Sequence, residues 1–408
     1  MKRIRQNISI LLITAIISSC TVARFFKWNF ANIDDYNRFK NAPIQNDPAN
    51  VSKLNYNIQD SLIFPKLRLK DESFAFEEGL VESKTVAFLV LRNDSILYEK
   101  YFDKYTESTW VNSFSVAKSF VSTLVGIAIS EGHIRSVKDP IGNYVPNLKK
   151  ELSEIPIQYY LEMRTGVDYK EAYYSPFSDA AVDYYGTNIK KRYPKFELEN
   201  EPDTYFQYRS INTQLLAEAV ENATGMMVSE YLQEKIWQPL GMESNASWSI
   251  DNKKDSTMKA FCCLNATARD FARFGLLILN NGNWNGRQIV PEAWVKEATT
   301  YDRPKSNFAY TYQWWTNRSY DSLGTPGFNT RQVHDTITYS DKSYFRHPDE
   351  DFMAEGHLGQ FIYINPDQNM VIVRLGKSTG KITPSWGKYL QWIARKNGVN
   401  PEPVPVEE

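Results

Sequence analysis

Cysteine is scarce in this 408-residue chain, with three in all, and two of them are neighbours, Cys262 and Cys263. Adjacent cysteines bridge only with strain, and no disulfide framework can be built from two of them, so both are expected as small buried side chains. Histidine is nearly as rare. His133, His334, His347 and His357 show neither His-x-x-x-His nor His-Glu-x-x-His spacing, which leaves a metal hydrolase without its ligand set and points to no metal site. Excess charge is lacking as well. A formal net charge of −1, with no basic stripe along any helical pattern, argues against a nucleic-acid partner. Gly376-Lys377-Ser378 is no phosphate loop, because Val371 stands where its first glycine should be. What remains is an ordinary globular composition, 42% hydrophobic and 23% charged, long enough for one large domain or two interleaved subdomains. Aromatic residues reach 14%, including 25 tyrosines, enough to line a wide groove.

The N-terminus reads as a targeting segment. Lys2, Arg3 and Arg5 precede an apolar run, Ile8 to Ile17, that is too short to span a bilayer. The run ends at Ile17-Ser18-Ser19-Cys20, which resembles a bacterial lipobox. Residues 1–19 are then a signal peptide and Cys20 the lipidated first residue of the mature protein, placing the folded domain outside the cytoplasm, in the periplasm or at the cell surface. A plain secretory signal and an uncleaved anchor are the other readings. Residues 20–70 are polar and mixed, but Phe25, Phe26, Trp28, Phe30 and Tyr36 suggest that part of them packs on the main domain, residues 71–398. The proline- and glutamate-rich tail, 399–408, has the composition of a disordered segment.

The stretch that organises the rest is Ser113-Phe114-Ser115-Val116-Ala117-Lys118-Ser119-Phe120. From Val116 to Ile129 apolar residues cover nearly every face, the mark of a buried helix, and Glu131-Gly132 ends the run. Ser115 and Lys118, three residues apart, share one face of its first turn. Burial lowers the pKa of a lysine, and a neutral amine is the base that a serine nucleophile lacks at neutral pH. Ser-x-x-Lys also occurs at Ser256/Lys259, Ser378/Lys381 and Ser385/Lys388, but only Ser115 opens a long apolar helix.

Alternating, β-branched segments at Thr85 to Arg92 and Ser95 to Phe102 flank Asn93-Asp94, a hairpin signal. Tyr310 to Trp315, Phe361 to Asn365 and Met370 to Leu375 carry strand patterns late in the chain. Helices are expected between: Thr213 to Thr224, Val228 to Trp237, and Ala268 to Leu279 behind a cap at Thr267, with a last one over Trp386 to Lys396. Residues 169–200 are irregular and tyrosine-rich, as functional loops often are. This order predicts an α+β fold: an antiparallel sheet formed by both chain ends, flanked by helices, with an inserted helical subdomain.

Two further segments complete a candidate site. Tyr208-Arg209-Ser210 precedes the Thr213 helix, and a phenol there could be held as phenolate by a nearby ammonium. His357-Leu358-Gly359 precedes the Phe361 strand, its glycines allowing close backbone approach to a ligand. A backbone N–H at that strand could join the Ser115 N–H as an oxyanion donor. In this order the three motifs resemble the serine β-lactamase-like family, which includes class C β-lactamases, D-Ala-D-Ala peptidases, esterases of the same fold and 6-aminohexanoate-dimer hydrolases. The resemblance runs from about residue 75 to 395. It implies a β-lactamase/transpeptidase-like fold, Ser115 as acylated nucleophile, Lys118 tuning it and sharing protons with Tyr208, and Tyr208 as general base toward Ser115 and acid toward the leaving group. It further implies backbone N–H groups of Ser115 and Gln360 as oxyanion hole, and Ser210, His357 and Gly359 as substrate-binding residues. The expected activity is hydrolysis of esters or amides of small carboxylic acids through an acyl-enzyme, on a small-molecule or peptide-like substrate, with no cofactor. A D-Ala-D-Ala carboxypeptidase or β-lactamase is the rival, weakened by His in place of Lys at 357 and Ser in place of Asn at 210. A non-catalytic envelope binding protein is the rival from another class.

Overall fold

The computed structural model describes residues 21–28, 30–254, 256–300, 310–316 and 351–399, plus the backbone of three short paired strands, Asp321–Ser322, Asp335–Tyr339 and Lys342–Arg346. The signal segment, Cys20 and residues 400–408 lie outside the described residues. The described chain opens with α1 (Thr21–Trp28), β1 (Lys40–Ile44) and β2 (Asn55–Tyr56). The predicted hairpin follows as β3 (Thr85–Arg92) and β4 (Ser95–Tyr101). Its turn residues Asn93 and Asp94 sit at φ 49° and 62°, a region these side chains tolerate. Next come β5 (Val111–Asn112), a single 3₁₀ turn (Phe114–Val116) and α2 (Ala117–Ser130). A helical insertion holds α3 (Asp179–Tyr185) and α4 (Ser210–Thr224), the latter closed by Gly225 at φ 72°. The chain then forms β6 (Ala246–Ile250), β7 (Leu264–Ala266), α5 (Ala268–Leu279) and α6 (Glu292–Thr299). It ends with β8 (Trp315–Thr316), β9 (Phe352–Gly356), β10 (Gln360–Asn365), β11 (Met370–Gly376) and α7 (Trp386–Asn397).

Both ends of the chain build the main sheet. Its order is β8-β9-β10-β11-β3-β4-β2, with β11 set antiparallel against β3 so that Ile372 faces Val90. Only β2 runs parallel to its neighbour, β4. Alternate residues sort to opposite faces, as the two-residue period of a strand requires. On β3, Leu89 and Leu91 join the large core around α2 and α5, while Phe88 and Val90 join the smaller one under α7. A second, four-stranded sheet, β1-β6-β7-β5, is completed by the N-terminal segment through β1.

The helix α2 is buried at every residue from Ala117 to Ala128, as its continuous apolar surface demands. Thr267 caps α5 by accepting from the Asp270 N–H. Two local readings are corrected. Tyr310 to Trp315 is a tight turn in which only Trp315–Thr316 is strand. Gln313, at φ 64°, drives its side chain inward to the carbonyls of Tyr160 and Leu161, a tertiary anchor that overrides the strand pattern. And α4 begins at Ser210, three residues earlier than its periodicity suggests, because Glu171 accepts the otherwise unpaired Ser210 N–H.

Where α2 meets α6, Gly126 lies flat against the indole of Trp294, leaving no room for a Cβ. Gly126→Val is expected to destabilise the protein by about 1–3 kcal/mol through overpacking, with the site's chemistry untouched. Denaturant unfolding of wild type and variant checks this, and an unchanged midpoint would place the two helices differently.

Candidate active site

Ser115 sits in the 3₁₀ turn between β5 and α2, held by the residues before it. Phe114 takes the left-handed φ of 45°, its N–H donating to Asn112 Oδ1 at 3.0 Å. Such a conformation at a phenylalanine is strained, and the surrounding packing maintains it. The Phe114 ring stacks on Tyr184 and meets His357 edge-on.

Lys118 is fully buried one turn on, and its Nζ has three oxygen neighbours. They are Ser115 Oγ at 3.0 Å, Ser210 Oγ at 3.2 Å and the Phe261 carbonyl at 2.7 Å. Burial pulls its pKa down to about 8, the negative charge of Glu171 opposing part of that fall. Proton directions follow from the partners. The Ser210 hydroxyl donates to Glu171 Oε1 at 2.6 Å, so toward Lys118 it can only accept. A carbonyl can only accept too. A neutral amine therefore uses its two N–H bonds on Ser210 and Phe261, and its lone pair is left for the Ser115 hydroxyl proton. An ammonium would instead donate to Ser115 and leave it inactive.

Tyr208 completes the group. Its hydroxyl interacts with the Ser115 side chain, and its ring lies 5.1 Å from Lys118 Nζ, stacked on Trp315. Burial raises its pKa far above 10, and the charges of Glu171 and Glu355 add to that. The expectation of a phenolate, and with it of Tyr208 as the base, is corrected: desolvation outweighs the hydrogen bond from Ser115, and Tyr208 rests as a phenol, a proton donor.

Ser115, Ser210 and His357 line one narrow cleft with about 40 Å³ of free space, walled by Tyr173, Tyr184 and Cys262 among others. His357 packs against Tyr173 and Phe114, and burial lowers its pKa below 6.5, so at neutral pH it offers no cation. Gly359 is not part of that lining. It turns the chain at φ 81° beneath Arg374, whose Nη1 donates to its carbonyl at 2.6 Å. The residue set against the Ser115 amide is Gly356, where a Cβ would come within 3.2 Å of Ser115 N and closer still to the Ser113 carbonyl. Gln360 pairs with Gly356 one strand behind, its side chain tied to Gly376. Cys262 and Cys263 are corrected from free thiols to a disulfide between neighbours. The left-handed Cys263, at φ 71°, and the Trp248 Nε1–H bond to the Cys262 carbonyl hold that turn.

Sequence reasoning missed Glu171, which accepts the Ser210 N–H and hydroxyl and the Tyr173 hydroxyl at 2.7 Å. Its only signal was its place in the tyrosine-rich stretch. The second buried Ser-x-x-Lys lysine, Lys259, donates to the Asp183 and Gly186 carbonyls and leaves Ser256 alone. Among the described residues no group of three or more His, Cys, Asp and Glu side chains could hold a metal ion.

With this geometry the chain was compared with known proteins. The family model described as Beta-lactamase matches residues 75–385. A 6-aminohexanoate-dimer hydrolase of Paenarthrobacter ureafaciens is 32% identical over 266 residues, 59% of this chain and 66% of the relative, just under two thirds of its length. A Bacillus anthracis structure provisionally assigned as a 6-aminohexanoate-dimer hydrolase superposes with a TM-score of 0.73 at 24% identity, covering 90% of this chain and 92% of that one. The octameric penicillin-binding protein homologue of Pyrococcus abyssi follows with a TM-score of 0.51 at 17% identity, over 74% and 71%. The last two show the fold.

A lysine that must be neutral to accept the Ser115 proton makes the serine more reactive as pH rises. Modification of Ser115 by a fluorophosphonate should climb with a midpoint near pH 8, the value to which burial brings Lys118. His357 titrates lower and cannot supply that midpoint. Lys118→Met should flatten the profile and slow labelling by about 10²–10⁴-fold. A wild-type rate independent of pH between 6 and 9 would contradict the assignment.

Proposed function

The chain belongs to the beta-lactamase family, and on that footing we propose that it is a serine hydrolase that cleaves esters or amides of small carboxylic acids through an acyl-enzyme on Ser115. The observation that carries the reading is the desolvated Lys118 amine 3.0 Å from Ser115 Oγ, whose two other oxygen partners take its N–H bonds once it is neutral and so leave its electron pair to the Ser115 hydroxyl. Lys118 takes the serine proton as Oγ attacks the substrate carbonyl. The oxyanion that forms lies toward the Ser115 N–H, beside Gly356. Tyr208, a phenol at rest, gives its proton to the departing alcohol or amine. It is reprotonated through Lys118, which carries the proton taken from Ser115. Water then enters by the reverse route and frees the acid.

His357 supports esters and uncharged amides over penicillin-type or D-Ala-D-Ala substrates. A neutral imidazole packed among aromatic rings has no positive charge for the carboxylate those substrates carry. The similarity to a 6-aminohexanoate-dimer hydrolase supports linear amides within that class. We also place the protein on a membrane through a lipid on Cys20, the reading that the positive n-region and the Ile17-Ser18-Ser19-Cys20 sequence support.

Short-chain p-nitrophenyl esters and linear amides test the activity. Ser115→Ala should lose turnover by about 10⁴-fold or more with its thermal melt unchanged, and Tyr208→Phe should lose about 10²–10⁴-fold. Full turnover by Ser115→Ala would dismiss the acyl-enzyme. For the anchor, wild-type protein should partition into the membrane fraction and Cys20→Ser should not. Equal partitioning of both would remove the lipid.

A further inference from the structure

The short helix α1 turns one face to the protein and the other to solvent. Phe25 and Trp28, three residues apart, pack against the Tyr185 ring of α3 at 5.3 and 5.9 Å, and Arg24 Nη1 donates to the Tyr185 carbonyl at 2.8 Å. Phe26 and Lys27 are exposed, Phe26 over 68% of its surface. Nearby rings are bare as well: Phe30 is 47% exposed, Tyr174 72% and Phe177 76%. These are one patch rather than scattered residues. Phe25 links Phe26 to Phe30 at centroid separations of 5.5 and 5.9 Å, and Phe30 meets Tyr174 edge-on at 5.9 Å. Phe177 follows in the Tyr174 loop, directly before Ser178, which caps α3. Among the described residues Phe26, Phe30 and Phe177 are the exposed phenylalanines, and all three lie here.

The patch borders the cleft. Tyr174 reaches the His357 ring at 6.3 Å, and Ala31, next to Phe30, lines the cleft together with Tyr185 and Ser115. Large apolar rings left bare in one place mark a surface that meets something apolar. The chain itself says what covers this one. Helix α1 starts at Thr21, the residue directly after Cys20, so a lipid on Cys20 would have no tether between it and the folded domain. Phe26 follows Cys20 by six residues, which is about 9 Å of helical rise. Phenylalanine and tyrosine rings settle at the headgroup level of a bilayer, and a lysine among them can lift its ammonium to the lipid phosphates, as Lys27 is placed to do.

We propose that this aromatic patch docks on the membrane that holds the Cys20 lipid, so that the cleft over Ser115 opens at the bilayer surface. The docking rests on the lipid anchor proposed above and extends it, because it fixes which side of the domain the membrane covers. The cleft then draws its esters or amides from the lipid–water interface, where amphiphilic acyl compounds collect.

Hydroxyl-radical footprinting of the full-length protein, reconstituted in vesicles of phosphatidylethanolamine and phosphatidylglycerol, tests this. Each oxidation rate is normalised to that of the same peptide in urea-unfolded protein. Tyr56 on β2 and Trp392 on α7, 56% and 36% exposed, serve as internal references. On vesicles, Phe26, Phe30, Tyr174 and Phe177 should be oxidised several-fold more slowly than the references. Membrane-bound protein whose patch is oxidised as fast as the references would overturn the docking and leave the lipid in place. References protected as strongly as the patch would overturn it too, since no one side would then face the membrane. Protein that does not pellet with the vesicles would remove lipid and docking together, and pelleting is read on the same sample. Neither readout needs turnover, so the outcome is independent of the acyl-enzyme on Ser115.

Discussion

A primary amine sealed beneath an apolar helix, with three oxygen atoms around it and no carboxylate in direct contact, is the constraint on which the site depends. Lys118 loses its hydration when α2 packs into the core, and the fold replaces that hydration with one carbonyl and two hydroxyls rather than with an ion pair. The balance is fine. A carboxylate at hydrogen-bond distance would hold the amine protonated. Glu171 is kept one hydroxyl away instead, bonded to Ser210 rather than to Lys118, so its charge opposes the depression of the lysine pKa without abolishing it. The same carboxylate accepts the first N–H of α4, where the helix dipole favours negative charge. One side chain thus sets the start of a helix, the direction of a hydroxyl and the field on the Lys118 amine.

Around that polar centre the protein places aromatic rings. Phe114, Tyr173, Tyr184 and His357 meet over the cleft, and Tyr310 and Trp315 enclose Tyr208 from the other side. Their effect is electrostatic as much as steric. By excluding water they raise the pKa of the Tyr208 phenol and lower that of the His357 imidazole, so both groups are neutral at the pH where Lys118 changes charge. A cleft of neutral groups around one titrating amine is what supports the proposed preference for uncharged acyl substrates.

Much of the architecture was legible in the sequence because its causes are local. The period-two pattern of residues 85–92, the Asn93-Asp94 turn and the all-round apolar surface from Val116 to Ile129 each have only one way to be buried. Sheet pairing between the two chain ends follows from having strand patterns only there and at few other places. Legibility failed where a distant partner overrode a local pattern. Gln313 bends the Tyr310–Trp315 segment because the Tyr160 and Leu161 carbonyls wait for its amide, and Cys262 bonds to Cys263 in a turn fixed by Trp248.

The same division holds for the chemistry. The sequence by itself determined that Ser115 and Lys118 share a helical face, since three residues is nearly one turn, and that this turn would be buried. It also determined that no histidine pair stood ready to hold a metal. It could not determine which of Lys118 and Tyr208 is the base, because that depends on how far each is desolvated and on which neighbour donates to which. Only the tertiary structure brought Ser210, Glu171 and the Phe261 carbonyl, 92, 53 and 143 residues from Lys118, to one point. Proton direction is a property of that meeting, and no spacing along a chain encodes it.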